Sequence, residues 1–190
     1  RVLGNSPARL SLVAFENDQS VLSRLHSSLH AAANDADGRL GVQVVERDFL
    51  EETERSLFSD PAGLFDVVIA NPPYFKTSPS IPGGGGEPNA YARFMRRSGE
   101  LLAEGGHLVF IVPRSFASGF YFRRFRAFLR ERLSLQYVHV FDSRNEAFKD
   151  QSVLQENIIV VYRKGRDTST EVEVSSSFGG ADNQRARIVK

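Results

Sequence analysis

Phe65-Asp66-Val67-Val68-Ile69-Ala70-Asn71-Pro72-Pro73-Tyr74 is the stretch on which the reading of this chain turns. Its first six residues are an apolar, β-branched run and read as a strand. Two successive prolines cannot extend it, because each fixes φ and lacks an N–H for the ladder. The strand exit therefore sets a carboxamide, two rigid imino acids and an aromatic ring together at the carboxyl edge of a sheet, where ligands of open α/β folds bind. With average residue usage, this tetrapeptide arises by chance in roughly one chain of this length in a thousand. The competing reading is a proline-stiffened strand exit with a surface tyrosine.

Working outward, Leu10-Ser11-Leu12-Val13-Ala14-Phe15 reads as a buried strand that stops at Glu16-Asn17-Asp18. The spacing of Val21, Leu22, Leu25 and Leu29 then predicts an amphipathic helix from Ser20. A second strand, Val42-Gln43-Val44-Val45, ends at Asp48-Phe49. Residues 78–89 hold Pro79, Pro82, four consecutive glycines and Pro88, a composition that predicts a mobile lid. Residues 91–102 read as a helix stopped by Gly105-Gly106, followed by a strand over 107–112 that Pro113 ends. Residues 121–133 read as a helix with Phe122, Phe125, Leu129 and Leu133 on one face. Strands over 137–141 and 158–162 flank residues 142–155. From Gly165 onward the chain is polar, with one short alternating run at Val172 and Val174. The order predicts an α/β fold with a doubly wound, mainly parallel sheet and an antiparallel edge hairpin. Residues 1–9 supply neither the strand nor the glycine-rich turn that usually opens such a sheet, so the first strand is expected to be missing.

Bulk properties exclude other classes. With 190 residues, 41% of them hydrophobic, the chain can bury one substantial core, and no apolar run reaches a membrane span. Cysteine is absent, which removes disulfides and thiolate chemistry and agrees with a cytoplasmic setting. His26 and His30 share a helical face but lack an acid at metal-ligand spacing, so no metal site is expected. The net charge of +1 is neutral on nucleic acid.

The sequence of signals, Glu16 after one strand, Asp48-Phe49 after the next, the tetrapeptide after the third and Gly105-Gly106 before the fourth, resembles the γ-class, Taq-like DNA adenine methyltransferases of restriction-modification and phage-defence systems. Residues 89–94 and 148–156 also look like segments of that family. The resemblance spans residues 10–164 and implies a Rossmann-like class I methyltransferase domain over 1–164, with 165–190 as a linker or the start of a target-recognition domain. It implies S-adenosylmethionine as cofactor, double-stranded DNA as substrate and a fused or partner restriction endonuclease. By resemblance, Glu16 takes the cofactor ribose, Asn17 a neighbouring contact, Asp48 and Phe49 the cofactor adenine, and Asn71 borders both cofactor and target. Asn71, Pro72, Pro73 and Tyr74 form the catalytic segment, and Phe148 supplies a second stacking face.

The chemistry suits those residue types. An adenine amino nitrogen is a poor nucleophile, because its lone pair is delocalised into the ring. The Asn71 side-chain oxygen and the Pro72 carbonyl can accept its two hydrogens and stabilise the charge that develops on nitrogen. Rigid prolines hold both acceptors in orientation. A base in a duplex must first be flipped out, and Tyr74 and Phe148 can stack on it.

Each assignment has a plainer counterpart. Glu16, Asp18 and Asp48 can be helix caps or turn formers. Phe148 is one of 15 phenylalanines and can be core. Arg114, Arg123 and Arg124, within a run of arginines from 93 to 132, can reach DNA phosphates or simply be solvated. Two other functions stay open: an Asn-Pro-Pro-Tyr methyltransferase acting on protein glutamine or RNA adenine, and a non-catalytic DNA-binding subunit that lacks the glycine loop.

Overall fold

The computed structural model describes residues 8–54, 64–76, 89–141, 156–165, 171–177 and 184–189. The chain divides into two compact units, Arg1–Ser59 and Asp60–Lys190.

In the first unit, β1 (Leu10–Phe15) and β2 (Leu40–Val45) pair in parallel, with α1 (Gln19–Asp35) as the crossover and α2 (Phe49–Glu54) following. Asp18 starts α1 by accepting the Ser20 N–H at 2.8 Å, which satisfies one of the orphan donors at a helix start. Asp37 (φ 50°) and Gly38 (φ 73°) turn the chain back toward β2. The expectation of a buried first strand is corrected here: no residue of β1 is buried and Leu10 is 44% exposed, because a two-stranded sheet offers little to bury against.

The second unit is a six-stranded sheet in the order β3-β4-β6-β5-β7-β8. Its strands are β3 (Phe65–Ala70), β4 (Leu102–Pro113), β5 (Leu133–Phe141), β6 (Asn157–Lys164), β7 (Val172–Ser177) and β8 (Gln184–Val189), with helices α3 (Ala90–Leu101) and α4 (Arg123–Arg132). β3 and β4 run parallel and β6 is antiparallel to both β4 and β5. The expected antiparallel pair is present, but β6 lies inside the sheet rather than at its edge. Its Asn157, Ile158, Val160 and Tyr162 are buried, as an interior position requires.

Two further expectations change. Gly105-Gly106 do not stop α3, which ends at Leu101 and passes directly into β4. The glycines form an irregularity in the β3–β4 pairing instead. Gly105 has φ 78°, and a Cβ on Gly106 would meet the carbonyl oxygens of Ala103 and Asp66 at 2.9 Å, so only glycine fits the close approach. Residues past Gly165, expected as a linker or another domain, contribute two strands, and β7 pairs in parallel with β5. The polarity that obscured this strand is internally satisfied: the His139 ring nitrogens lie 2.6 Å from the Ser175 hydroxyl and 2.8 Å from that of Ser177.

The core between the helices and the sheet centres on Tyr91, Met95, Leu108, Phe110, Val112, Phe125 and Val160, all at most 1% exposed. All four residues of the expected face of the last helix are buried, with Phe128 beside them. No helix among the described residues is long and apolar enough to cross a membrane.

Candidate functional site

Asn71 leaves β3 at its carboxyl end, and parallel pairing puts the end of β4 at the same edge, with Ala70 opposite Phe110. Pro72 is buried and Pro73 exposed, so the segment is anchored on one side and open on the other. The stiff pair brings residues 71 and 74 together: the Tyr74 hydroxyl donates to Asn71 Oδ1 at 2.9 Å and approaches the Ile111 carbonyl at 3.3 Å. Sequence reasoning gave Tyr74 a stacking role and missed this bond, although the spacing across two residues of fixed φ was its signal. The phenol orients the carboxamide oxygen and occupies one of its two lone pairs, which leaves acceptor capacity toward the exposed side.

The Tyr74 ring meets Tyr91 edge-on at 6.2 Å, and Tyr91 stacks on Phe122 at 5.6 Å. This aromatic row ties the tetrapeptide to α3 and to the turn before α4. Burial pushes the Tyr74 phenol up to about 12, and it raises Tyr91 and Tyr162 as well. Tyr74 thus stays a neutral donor at physiological pH. A phenol whose folded pKa exceeds the unfolded value of about 10 contributes stability that is full below pH 10 and lost as pH rises toward 12. Urea-melting midpoints are therefore expected to fall between pH 10 and 11.5, after allowance for the general effect of net charge. A midpoint unchanged over that range would contradict burial of these rings.

In the first unit, Glu16 and Asp48 follow the paired ends of β1 and β2, with Phe15 opposite Val45. Glu16 Oε1 accepts the N–H groups of Asn17 and Asp18, each at 2.9 Å. Asp48 Oδ1 accepts the Glu51 N–H at 3.0 Å and starts α2. Both acids thus have the turn and cap roles that were their plainer readings, and each carboxylate is oriented by them. Phe49 packs edge-on against Phe15 at 5.2 Å, and Asn17 is exposed. A fixed carboxylate beside an aromatic wall fits a ribosyl nucleoside, whose hydroxyls need an acceptor and whose base needs an apolar face. The parallel register, the Glu16 N–H bond to the Val45 carbonyl at 3.1 Å and the Phe15–Phe49 contact place Glu16, Asn17, Asp48 and Phe49 after the same end of the strand pair. His26 pairs with Glu46 at 3.0 Å on the exposed side of α1.

Phe148 and most of the expected lid lie outside the described residues. The ends of the lid segment are joined: Lys76 bridges Asn89, and the Ala90 N–H donates to the Phe75 carbonyl at 3.0 Å. Of the arginines, Arg126 donates to the carbonyls of Phe116 and Gly119, Arg96 and Arg132 sit over the Phe128 ring, and Arg97 pairs with Glu100. Arg114 makes a 3.5 Å pair with Glu156, and Arg123 and Arg124 are exposed. An apolar cavity of about 370 Å³ beneath α4, lined by Leu129, Leu135, Val138 and Ile158 among others, includes neither Asn71 nor Tyr74.

The profile of the Eco57I restriction-modification methylases matches residues 7–148. The chain belongs to that family. It is 36% identical over 152 residues to the type II methyltransferase M.BsuBI of Bacillus subtilis, covering 72% of this chain and 30% of that protein. It is 38% identical over 147 residues to M.PstI of Providencia stuartii, covering 71% of this chain and 28% of the relative. The chain thus spans under a third of the length of these curated relatives. A Listeria monocytogenes structure described as a class I S-adenosylmethionine-dependent methyltransferase superposes with a TM-score of 0.63 at 14% identity, over 95% of this chain and 62% of the other. The family fold is therefore the Rossmann-like fold of class I methyltransferases.

Proposed function

We propose that this member of the Eco57I family is the catalytic part of a restriction-modification methyltransferase that modifies the N6 amino group of adenine in double-stranded DNA. The observation that carries the reading is the Asn71 carboxamide, set at the carboxyl edge of β3 and oriented by Tyr74 at 2.9 Å. Family membership and the type II methyltransferase relatives support the reaction class and S-adenosylmethionine as cofactor. When bound, S-adenosylmethionine supplies an electrophilic methyl group on a sulfonium centre. Glu16 would hold its ribose hydroxyls, Asn17 a neighbouring group, and Asp48 and Phe49 its adenine.

The chain's own residues supply orientation and charge stabilisation. Asn71 Oδ1 and the Pro72 carbonyl accept the two amino hydrogens of a flipped adenine, which draws the nitrogen toward tetrahedral geometry and offsets its growing positive charge. Tyr74 fixes the first acceptor and the prolines fix the second, so much of the rate enhancement comes from preorganisation. Phe148 is assigned the second stacking face. The test is transfer of labelled methyl groups by the full-length protein to duplex DNA, RNA and a glutamine-bearing release factor in parallel. Label in DNA alone is expected. Label in RNA or protein alone would assign the tetrapeptide to the rival substrates, and no label together with no cofactor binding would favour a non-catalytic subunit.

A further inference from the structure

Beyond Pro113, at the edge that also carries Asn71, the chain makes two short 3-10 turns, Arg114–Ala117 and Phe120–Phe122, before α4 begins. Phe122 turns inward onto Tyr91 and is 7% exposed. Its two predecessors face solvent: Phe120 is 80% and Tyr121 84% exposed, the highest values among the exposed large hydrophobic residues described. Adjacent rings left in water forgo the stabilisation that burial brings. The turn that presents them is firmly held. Arg126 Nη1 donates to the Phe116 carbonyl at 2.9 Å and the Gly119 carbonyl at 2.7 Å. A Cβ on Gly119 would meet the Ser115 carbonyl at 3.0 Å, so the backbone there is closely packed.

Charge points the same way. No acidic residue occurs from Pro113 to Arg130, whereas arginine stands at 114, 123, 124, 126 and 130. Arg123 and Arg124 occupy the first turn of α4, the end of a helix that disfavours cations and favours anions. Their placement is unfavourable in the free protein and is relieved by a bound anion. Flat rings followed by guanidinium groups match the alternation of base and phosphate in a nucleic-acid strand.

We infer that Phe120 and Tyr121 are a base-stacking contact for DNA beside Asn71, with Arg123 and Arg124 holding flanking phosphates. The inference rests on the DNA reading above for its ligand. Drawing a nucleotide toward Asn71 unstacks its neighbours, and the two rings stack on the base faces so uncovered, which keeps the opened DNA engaged at the carboxyl edge.

The experiment compares duplex-DNA binding by the full-length wild-type protein, a Phe120→Ala/Tyr121→Ala variant, Tyr121→Phe, and an Arg123→Ala/Arg124→Ala variant, by fluorescence anisotropy over a salt series. Loss of the two rings is expected to weaken binding at least about tenfold with an unchanged salt slope, because stacking is not electrostatic. Tyr121→Phe keeps the ring and binds as wild type. Loss of the two arginines lowers the slope of log K against log salt by about 2. Circular dichroism and cofactor affinity remain those of wild type throughout. Wild-type DNA affinity in the two-ring variant overturns the inference, and so does a wild-type protein that binds no DNA. DNA binding that depends on the rings in a protein that methylates no DNA supports the contact and removes the catalytic reading, so the two claims fail separately.

Discussion

Asn71→Ala is expected to slow methyl transfer by at least about a hundredfold while S-adenosylmethionine affinity stays within a few-fold of wild type. Removing one preorganised hydrogen-bonding group from a site of developing charge costs about 10²–10³ in rate in well-measured enzymes. Here the lost group is the acceptor whose orientation the Tyr74 hydroxyl fixes at 2.9 Å. The fold is expected to tolerate the change, because Asn71 is exposed and Tyr74 retains the Ile111 carbonyl at 3.3 Å as a partner. Single-turnover rates with labelled cofactor, set beside calorimetric cofactor affinity, separate loss of chemistry from loss of binding. A variant that transfers methyl at the wild-type rate would remove Asn71 from the reaction.

Phe110→Ala is expected to cost about 3–5 kcal/mol of folding stability, the usual penalty for deleting a buried ring and leaving a cavity. Phe110 is fully buried in β4, opposite Ala70 and one register step from the Asn71 exit. In a domain of this size that loss lowers the melting temperature by roughly 6–20 °C. Activity per folded molecule is also expected to fall, since β4 provides the carbonyl that helps hold Tyr74. Chemical denaturation checks the first effect. A loss below about 1 kcal/mol would contradict the tight packing at this position.

Much of this architecture was legible because apolar runs with sharp ends leave little choice of strand. β3 spans the residues its apolar run marked, β2 begins two residues before its run, and the Asn-Pro-Pro-Tyr exit marks the open edge. The exceptions have physical causes. β7 escaped because its inward residues are Ser175 and Ser177, whose hydroxyls are satisfied by His139 rather than buried against carbon. Gly105-Gly106 carry the usual sign of a helix end, yet serve the close approach of β4 to the β3 carbonyls. Periodicity identified the buried face of α4 but carried no information on the 3-10 turns that precede it. Arginine counts did not foretell that Arg96, Arg126 and Arg132 would be used on Phe128 and on backbone carbonyls, leaving Arg123 and Arg124 for solvent or a partner. Glu16 and Asp48 take the turn and cap positions that were their plainer readings, and each carboxylate is held in place by a neighbouring N–H.

In the proposed reaction, Asn71 and Pro72 grip an adenine amino group while it is methylated. Duplex DNA treated with the full-length protein and methyl-labelled S-adenosylmethionine, then digested to nucleosides and resolved by mass spectrometry, tests it most directly. Label is expected only in N6-methyladenine, and none after treatment with the Asn71→Ala variant. Label on cytosine, or undiminished N6-methyladenine from that variant, would contradict it.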